Sequence, residues 1–330
     1  MSQVTIAADP LLAAWDETLR RRAADPAIVD LQGRVLFRFR ELEELSRSCT
    51  LEFRAGEILA VQIGNHPHWP AWLLAALRRG VVVLPLEQTV SAQERASALR
   101  TCRAAGLMTA PEKPIERLAE PGAKAWDGRP PVLLKLTSGT TAAPRAIRFR
   151  SAQLLADAAQ ICDTMGIGER DLNFGVIPFS HSYGFSNLIT PLLVRGVPLA
   201  VGRDRMPRAV LEDLARTEAT VFPGMPLFYQ AFTEMPEAPA LPRLRLCVSA
   251  GAPLTRPVAR NFRAKFGLAI HSFYGASECG GICYDRAATE EREGFGGRAV
   301  PGVTFVPNNC GARATSSVVW SASVGAGYVP

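Results

Sequence analysis

"LLKLTSGTTAAPRAIRFR", from Leu133 to Arg150, runs an apolar strand into a loop of hydroxyls. Thr137, Ser138, Gly139, Thr140 and Thr141 are followed by two alanines, Pro144 and Arg145. Small residues directly after a strand expose backbone N–H groups, and Gly139 lets the backbone turn tightly or approach a ligand. Four hydroxyls and the planar Arg145 cation add donors, which gives the segment the composition of a phosphate nest. The same hydroxyls also suit a polar turn bonded to its own backbone. No GK[ST] follows the glycine, so the loop is not of the Walker A type.

Outward from this loop, helix and strand patterns alternate. Upstream, "ILAVQIG" (58–64), "VVVLPL" (81–86) and "LMTA" (107–110) read as buried strands. They are separated by a helix that stops at Gly80 and one that Ser91 caps. "AIVD" and "VLFRF" flank Gly33 as a hairpin. Downstream come a helix from Ser151 to Met165, the strand "NFGVIPF", a helix from Phe185 to Val194, and the strand "VPLAV". Helix 207–217, strands "ATVF" and "RLRLCVS", helix 255–266 and strand "LAIHSF" follow. Apolar strands separated by helices predict an α/β fold of two packed βα units with mostly parallel sheets. Pro, Gly and charge crowd residues 111–131, and the helical pattern stops at Gly294. The expected units are therefore 1–131, then 132–293 carrying the loops, then a β-rich segment 294–330.

A length of 330 residues exceeds one simple core, and 48% hydrophobic with 21% charged residues fits a globular chain. The net charge of +6 comes from scattered basic residues, so a nucleic-acid face is not expected, whereas an anionic small molecule is. The N-terminus has neither the basic nor the apolar region of a signal peptide. The longest apolar stretch, 69–86, is broken by Arg78, Arg79 and Gly80, too charged to span a membrane. Seven cysteines without a CxxC pair read as free thiols of a cytoplasmic protein. "CGGIC" (279–283) has only His271 nearby, a poor metal set.

Three further strand-end loops carry chemistry. In "PFSHSYGFSN" (178–187), His181 sits among Ser180, Ser182 and Tyr183 just past a strand, where parallel sheets gather ligands. "SAGAPL" (249–254) places small residues, Gly251 and Ala252 among them, where a flat ring fits against the backbone. In "SFYGASECGG" (272–281), Tyr274 offers an aromatic face, Gly275 a close backbone approach, Ser277 a hydroxyl, and Glu278 a carboxylate of the kind Mg²⁺ prefers. "GASEC" also lies one residue from a hydrolase nucleophile elbow, but no histidine follows Ser277 in the chain order that triad needs. One site for an aromatic base, phosphates and Mg²⁺ accounts for all four loops.

Together these motifs resemble the adenylate-forming superfamily of acyl- and aryl-CoA synthetases, luciferases and peptide-synthetase adenylation domains. "TSGTTAAPRA" looks like its phosphate loop, "FSHSYG" like its fourth core motif, and "SAGAPL" and "YGASE" like its adenine and Mg²⁺ motifs. "GGRAVPGVTF" resembles the β-rich segment that follows. The resemblance implies that Thr137–Thr141, with Arg145, hold the β- and γ-phosphates of ATP. It places His181 and Tyr183 beside the acyl pocket and α-phosphate. Gly251 and Ala252 would border adenine and Tyr274 would stack on it; Ser277 would touch the α-phosphate and Glu278 would ligate Mg²⁺. A carboxylic acid would be activated to its acyl-adenylate, then passed to CoA or phosphopantetheine.

The pattern departs from the family at Ala142, usually glycine, and Arg145, usually lysine. Past "GYVP" the family continues to a ribose-binding aspartate, a hinge and a small mobile domain with an adenylation lysine. The chain is thus expected to lack the lid domain and to be impaired. Lys135, two residues before the loop, is expected to face the edge of the sheet. Two other readings stay open: a non-catalytic MgATP and acyl binder or half of a split ligase, completed by a separate C-terminal domain or a carrier protein, and a truncated product without function.

Overall fold

The computed structural model describes residues 9–118, 126–137, 145–202, 206–288, 296–310 and 314–329. Among them, strands β3 (Ile58–Val61), β4 (Val82–Pro85), β5 (Gly106–Met108) and β7 (Leu133–Leu136) form the parallel centre of a six-stranded sheet. Its antiparallel edges are β6 (Glu116–Arg117) and β8 (Ala146–Phe149). Residues along β3 alternate between two cores: Leu59 and Val61 join the larger cluster, Ile58 and Ala60 the smaller. A strand buried on both faces needs apolar side chains at every position, which is why this segment shows no polar alternation.

A nine-stranded sheet adjoins it in the order β15-β14-β13-β12-β11-β9-β10-β1-β2. Its parallel part comprises β1 (Pro26–Val29), β9 (Asn173–Gly175), β10 (Leu199–Val201), β11 (Val221–Gly224), β12 (Leu246–Ser249) and β13 (Ile270–Ala276). Antiparallel strands β2 (Val35–Arg38), β14 (Gly280–Tyr284) and β15 (Arg298–Ala299) complete the two ends. β16 (Thr304–Cys310) and β17 (Ala314–Trp320) form a separate hairpin. The sheets exchange segments across residue 131: β1 and β2 lie in the larger sheet, β7 and β8 in the smaller.

The helices are α1 (Pro10–Arg22), α2 (Phe39–Ser48), α3 (Trp69–Arg79), α4 (Ala92–Cys102), α5 (Ser151–Met165), α6 (Ser182–Gly184), α7 (Thr190–Arg195), α8 (Pro207–Thr217), α9 (Pro226–Glu234) and α10 (Arg256–Phe266). The caps follow the sequence signals. The Ser91 hydroxyl accepts from the Glu94 N–H while Glu94 reaches back, and Gly80 ends α3 at φ 64°. Trp69, between Phe179 and Phe185, pins α3 to the segment after β9, with ring centroids 6.3 and 5.7 Å away. That segment carries His181.

Lys135 is a correction to the sequence reading. β7 lies between β4 and β8, not at an edge, and Lys135 is only 3% exposed. The cause is β8, an antiparallel return strand hidden in "AIRF" between the loop and α5. Lys135 shares its strand face with Leu133 and points into the larger core. Its Nζ lies 4.6 Å from the Phe149 ring centre and donates to Ser186 Oγ at 3.3 Å.

Candidate active site

The four expected loops leave the C-terminal ends of β7, β9, β12 and β13. At the first, Thr137 and Arg145 form the neck. The Thr137 N–H and Oγ1 both donate to the Arg145 carbonyl, at 2.9 and 3.3 Å. Ser138, Gly139, Thr140 and Thr141 lie outside the described residues. The Arg145 guanidinium sits 5.6 Å from the ring centre of Tyr328, whose hydroxyl lies 3.4 Å from Glu278 Oε1. Tyr328 therefore links the loop neck to the expected metal carboxylate.

At the second loop the chain turns after Pro178, and His181 Nδ1 accepts the Tyr183 N–H at 3.1 Å. The neutral ring then carries its proton on Nε2. Burial holds His181 below the ordinary histidine range; Glu87 works against this, and the Lys135 charge works with it. The expected result is an NMR titration of the His181 ring with a midpoint below 6.5. In a Lys135→Met variant that midpoint should move upward, because a repelling cation has gone. A midpoint above 6.5 in the wild type would contradict the buried, neutral ring.

The helix expected over 185–194 begins at Ser182 and contains a π turn, Phe185–Ile189, closed by the Thr190 N–H on the Phe185 carbonyl. Such turns recur at functional sites because the extra residue re-aims side chains. Here Ser186 and Asn187 line the same cavity as His181 and Tyr183. Ser186 Oγ donates to Asp157 Oδ2 at 2.5 Å, and Asp157 Oδ1 accepts the Gly281 N–H at 3.0 Å. A chain of polar contacts thus runs from Lys135 through Ser186 and Asp157 to the strand after Glu278.

At the third loop, Gly251 adopts φ 84°, a conformation that favours glycine. The Tyr183 and Tyr229 hydroxyls both donate to the Val248 carbonyl, at 3.2 and 2.9 Å, fixing the strand end before Ser249. The fourth motif forms a hairpin: β13 runs through Tyr274 to Ala276 and returns as β14. Gly275 faces Gly281, and a Cβ at Gly275 would lie 2.6 Å from the Gly280 carbonyl oxygen. Tyr274 is 54% exposed, with its ring open to a partner.

His181, Gly251, Ala252, Tyr274, Gly275 and Ser277 all line one cavity of about 510 Å³. Glu278 lies beside it, on the hairpin turn. Its backbone carbonyl accepts the Gly325 N–H at 2.7 Å. Among the described residues no cluster of three or more His, Cys, Asp or Glu forms a metal cage. Mg²⁺ does not need one, since it binds through one or two carboxylates plus water and phosphate. Glu278 fits that mode. The Cys279 thiol is pushed up by burial and the nearby Glu278 and Asp157 charges, and Cys283 by burial; both are free thiols.

The model of the AMP-binding enzyme family matches residues 15–126 and 116–306. The chain belongs to that family. Benzoate–CoA ligase of Thauera aromatica is 32% identical over 170 residues, covering 50% of the chain and 32% of the ligase. Feruloyl-CoA synthase of an Amycolatopsis species is 26% identical over 267 residues, covering 74% and 54%. The chain thus spans about a third to a half of these curated relatives, which are CoA ligases. Among solved structures, the inhibitor-bound N-terminal domain of FACL13 from Mycobacterium tuberculosis superposes with TM-score 0.83 at 17% identity, covering 96% of this chain and 90% of that one. The fold is that of the N-terminal domain of adenylate-forming enzymes. No helix among the described residues is long and apolar enough to cross a membrane.

The sequence reading held Ser186 and Ser249 inside its motifs without giving their side chains a role, placed Lys135 at the sheet edge, and did not single out Asp157. The available signal was a lysine inside an otherwise apolar strand.

Proposed function

We propose that the chain binds MgATP and a carboxylic acid and joins them as an acyl-adenylate, for transfer to a thiol of CoA or phosphopantetheine. The observation that carries this reading is the single cavity, at the C-terminal ends of β12 and β13, lined by residues from three motifs far apart in sequence. A carboxylate oxygen attacks the α-phosphorus, the bond from that phosphorus to the bridging oxygen breaks, and pyrophosphate leaves with the electron pair. A thiolate then attacks the acyl carbon and AMP departs. The protein supplies alignment and fixed donors.

In this reading Tyr274 stacks on adenine against Gly251 and Ala252. Ser277 donates to the α-phosphate, and the His181 Nε2–H faces the developing negative charge. The loop at 137–141, with Arg145, holds the outer phosphates. Glu278 would hold Mg²⁺, which neutralises phosphate charge when bound.

Calorimetric titration with MgATP tests the reading, followed by acid-dependent exchange of labelled pyrophosphate into ATP. Saturable one-to-one binding is expected, weakened about tenfold by Tyr274→Ala, since base stacking on an aromatic ring contributes about 1–3 kcal/mol. Binding without exchange, also after adding a lid domain, would identify a non-catalytic binder. Absence of MgATP binding would remove the proposal.

A further inference from the structure

One polar atom on the cavity wall has no partner. Ser249, at the C-terminal end of β12, is 2% exposed, and its Oγ makes no hydrogen bond among the described residues. Ser249 lines the cavity. Most buried hydroxyls are hydrogen-bonded, and leaving one bare costs about 1–3 kcal/mol. A buried hydroxyl at the wall of an open cavity is instead paired when something enters.

A second hydroxyl shares the cavity. Ser186 Oγ gives its proton to Asp157 and accepts from Lys135, which leaves one lone pair unused. Tyr183 ties the two serines together. It lies one helical turn before Ser186, and its hydroxyl is bonded to the carbonyl of Val248, the neighbour of Ser249. The wall therefore offers one full donor–acceptor, Ser249, and one acceptor, Ser186. Behind them stand one cation and one anion.

We infer that Ser249 and Ser186 select a carboxylic acid carrying a hydroxyl away from its carboxylate. This rests on the proposed function and names the substrate class of that same site. A hydroxyl accepts from Ser249 and donates to Ser186, which uses both vacant positions. A second carboxylate accepts only, so it leaves the Ser186 lone pair without a donor. An ammonium group donates only, so it leaves the Ser249 proton without an acceptor. A bare hydrocarbon ring or chain leaves Ser249 unpaired, and sites that lose such a partner discriminate strongly.

The test uses acyl-adenylate mimics, so that turnover is not needed: the N-acyl sulfamoyladenosines of benzoate, 3-hydroxybenzoate, 4-hydroxybenzoate and 4-carboxybenzoate, titrated into the chain by calorimetry. At least one hydroxylated mimic is expected to bind tenfold or more tighter than the benzoate mimic, and the carboxylated one more weakly than benzoate. Ser249→Ala should remove the hydroxyl preference, bringing the ratio of hydroxylated-mimic to benzoate-mimic affinity down to about one, with the benzoate mimic gaining affinity because no hydroxyl is left unpaired. Equal binding of all four by the wild type would overturn the inference and leave the proposed function standing. A preference for hydroxyl that survives in Ser249→Ala would overturn the role of Ser249. Failure of every mimic to bind would overturn both readings together.

Discussion

Gly184→Ala is expected to unfold the protein at markedly lower urea concentration and to abolish the proposed nucleotide binding at any concentration where it stays folded. Gly184 closes the turn that carries His181. A Cβ there would lie 2.0 Å from the Pro178 carbonyl oxygen, 2.7 Å from its carbon and 3.0 Å from the Ile177 oxygen. These are backbone atoms, so no side chain can swing aside. Nor can the 175–179 segment retreat. Asn65 Nδ2 donates to the Gly175 and Ile177 carbonyls at 2.9 and 3.0 Å, and the Phe179 N–H donates back to Asn65 Oδ1 at 2.8 Å. Overpacking against a pinned backbone costs on the order of 3 kcal/mol or more. Gly168→Ala is the control. Its Cβ would meet nothing within 4 Å and its φ is not in the left-handed region, so the urea midpoint should stay close to wild type. Equal midpoints for the two variants would show that the His181 turn tolerates a methyl group.

Where the sequence was readable, two signals agreed. α3 ends and α4 begins where the terminus signals Gly80 and Ser91 mark them, and α8 and α10 form within a residue of the expected 207–217 and 255–266. The hairpin around Gly33 was likewise marked by a glycine, which adopts φ 76°. The site motifs were legible because each is a short run of small or polar residues after an apolar strand, and that contrast is local.

What was hidden depends on pairing at a distance. β8 consists of four residues in a basic stretch and forms because Leu133–Leu136 needs a neighbour. β14 reads as a loop of glycines, yet it pairs with β13 because Gly275 and Gly281 permit close approach. α9 begins at Pro226 in a segment without polar punctuation, and Phe228, Tyr229 and Phe232 bury it against Phe222. The π turn escaped for the same reason, since nothing in "FSNLI" departs from a helical pattern. Lys135 was misplaced as a direct consequence of the missed β8.

The buried pair behind the cavity gives the second large effect. Lys135 and Asp157 each bond Ser186 Oγ and do not touch one another, so Asp157→Asn is expected to destabilise the protein by about 1–3 kcal/mol near pH 7, the cost of leaving a buried polar group without its partner. The asparagine oxygen still accepts from Gly281, so the loss falls on Lys135, which keeps its charge between Phe149 and Phe185 with no anion nearby. Lys135→Met/Asp157→Asn should recover most of that loss, because methionine fits the aromatic slot and no charge remains. The pH dependence follows from burial, which lowers the Lys135 pKa, while Asp157 raises it. Between the lowered folded value and the ordinary lysine value of about 10.4, the unfolded chain binds more protons than the folded one. Stability therefore rises with pH through that window, and the charge penalty is fully present below it. In Asp157→Asn the folded value falls further, so the rise begins at lower pH. In both Lys135→Met variants that rise is absent. Urea midpoints from pH 6 to 10 decide the matter: a double variant no more stable than Asp157→Asn, or a rise unchanged by removing Lys135, would show that the two charges are not coupled across Ser186.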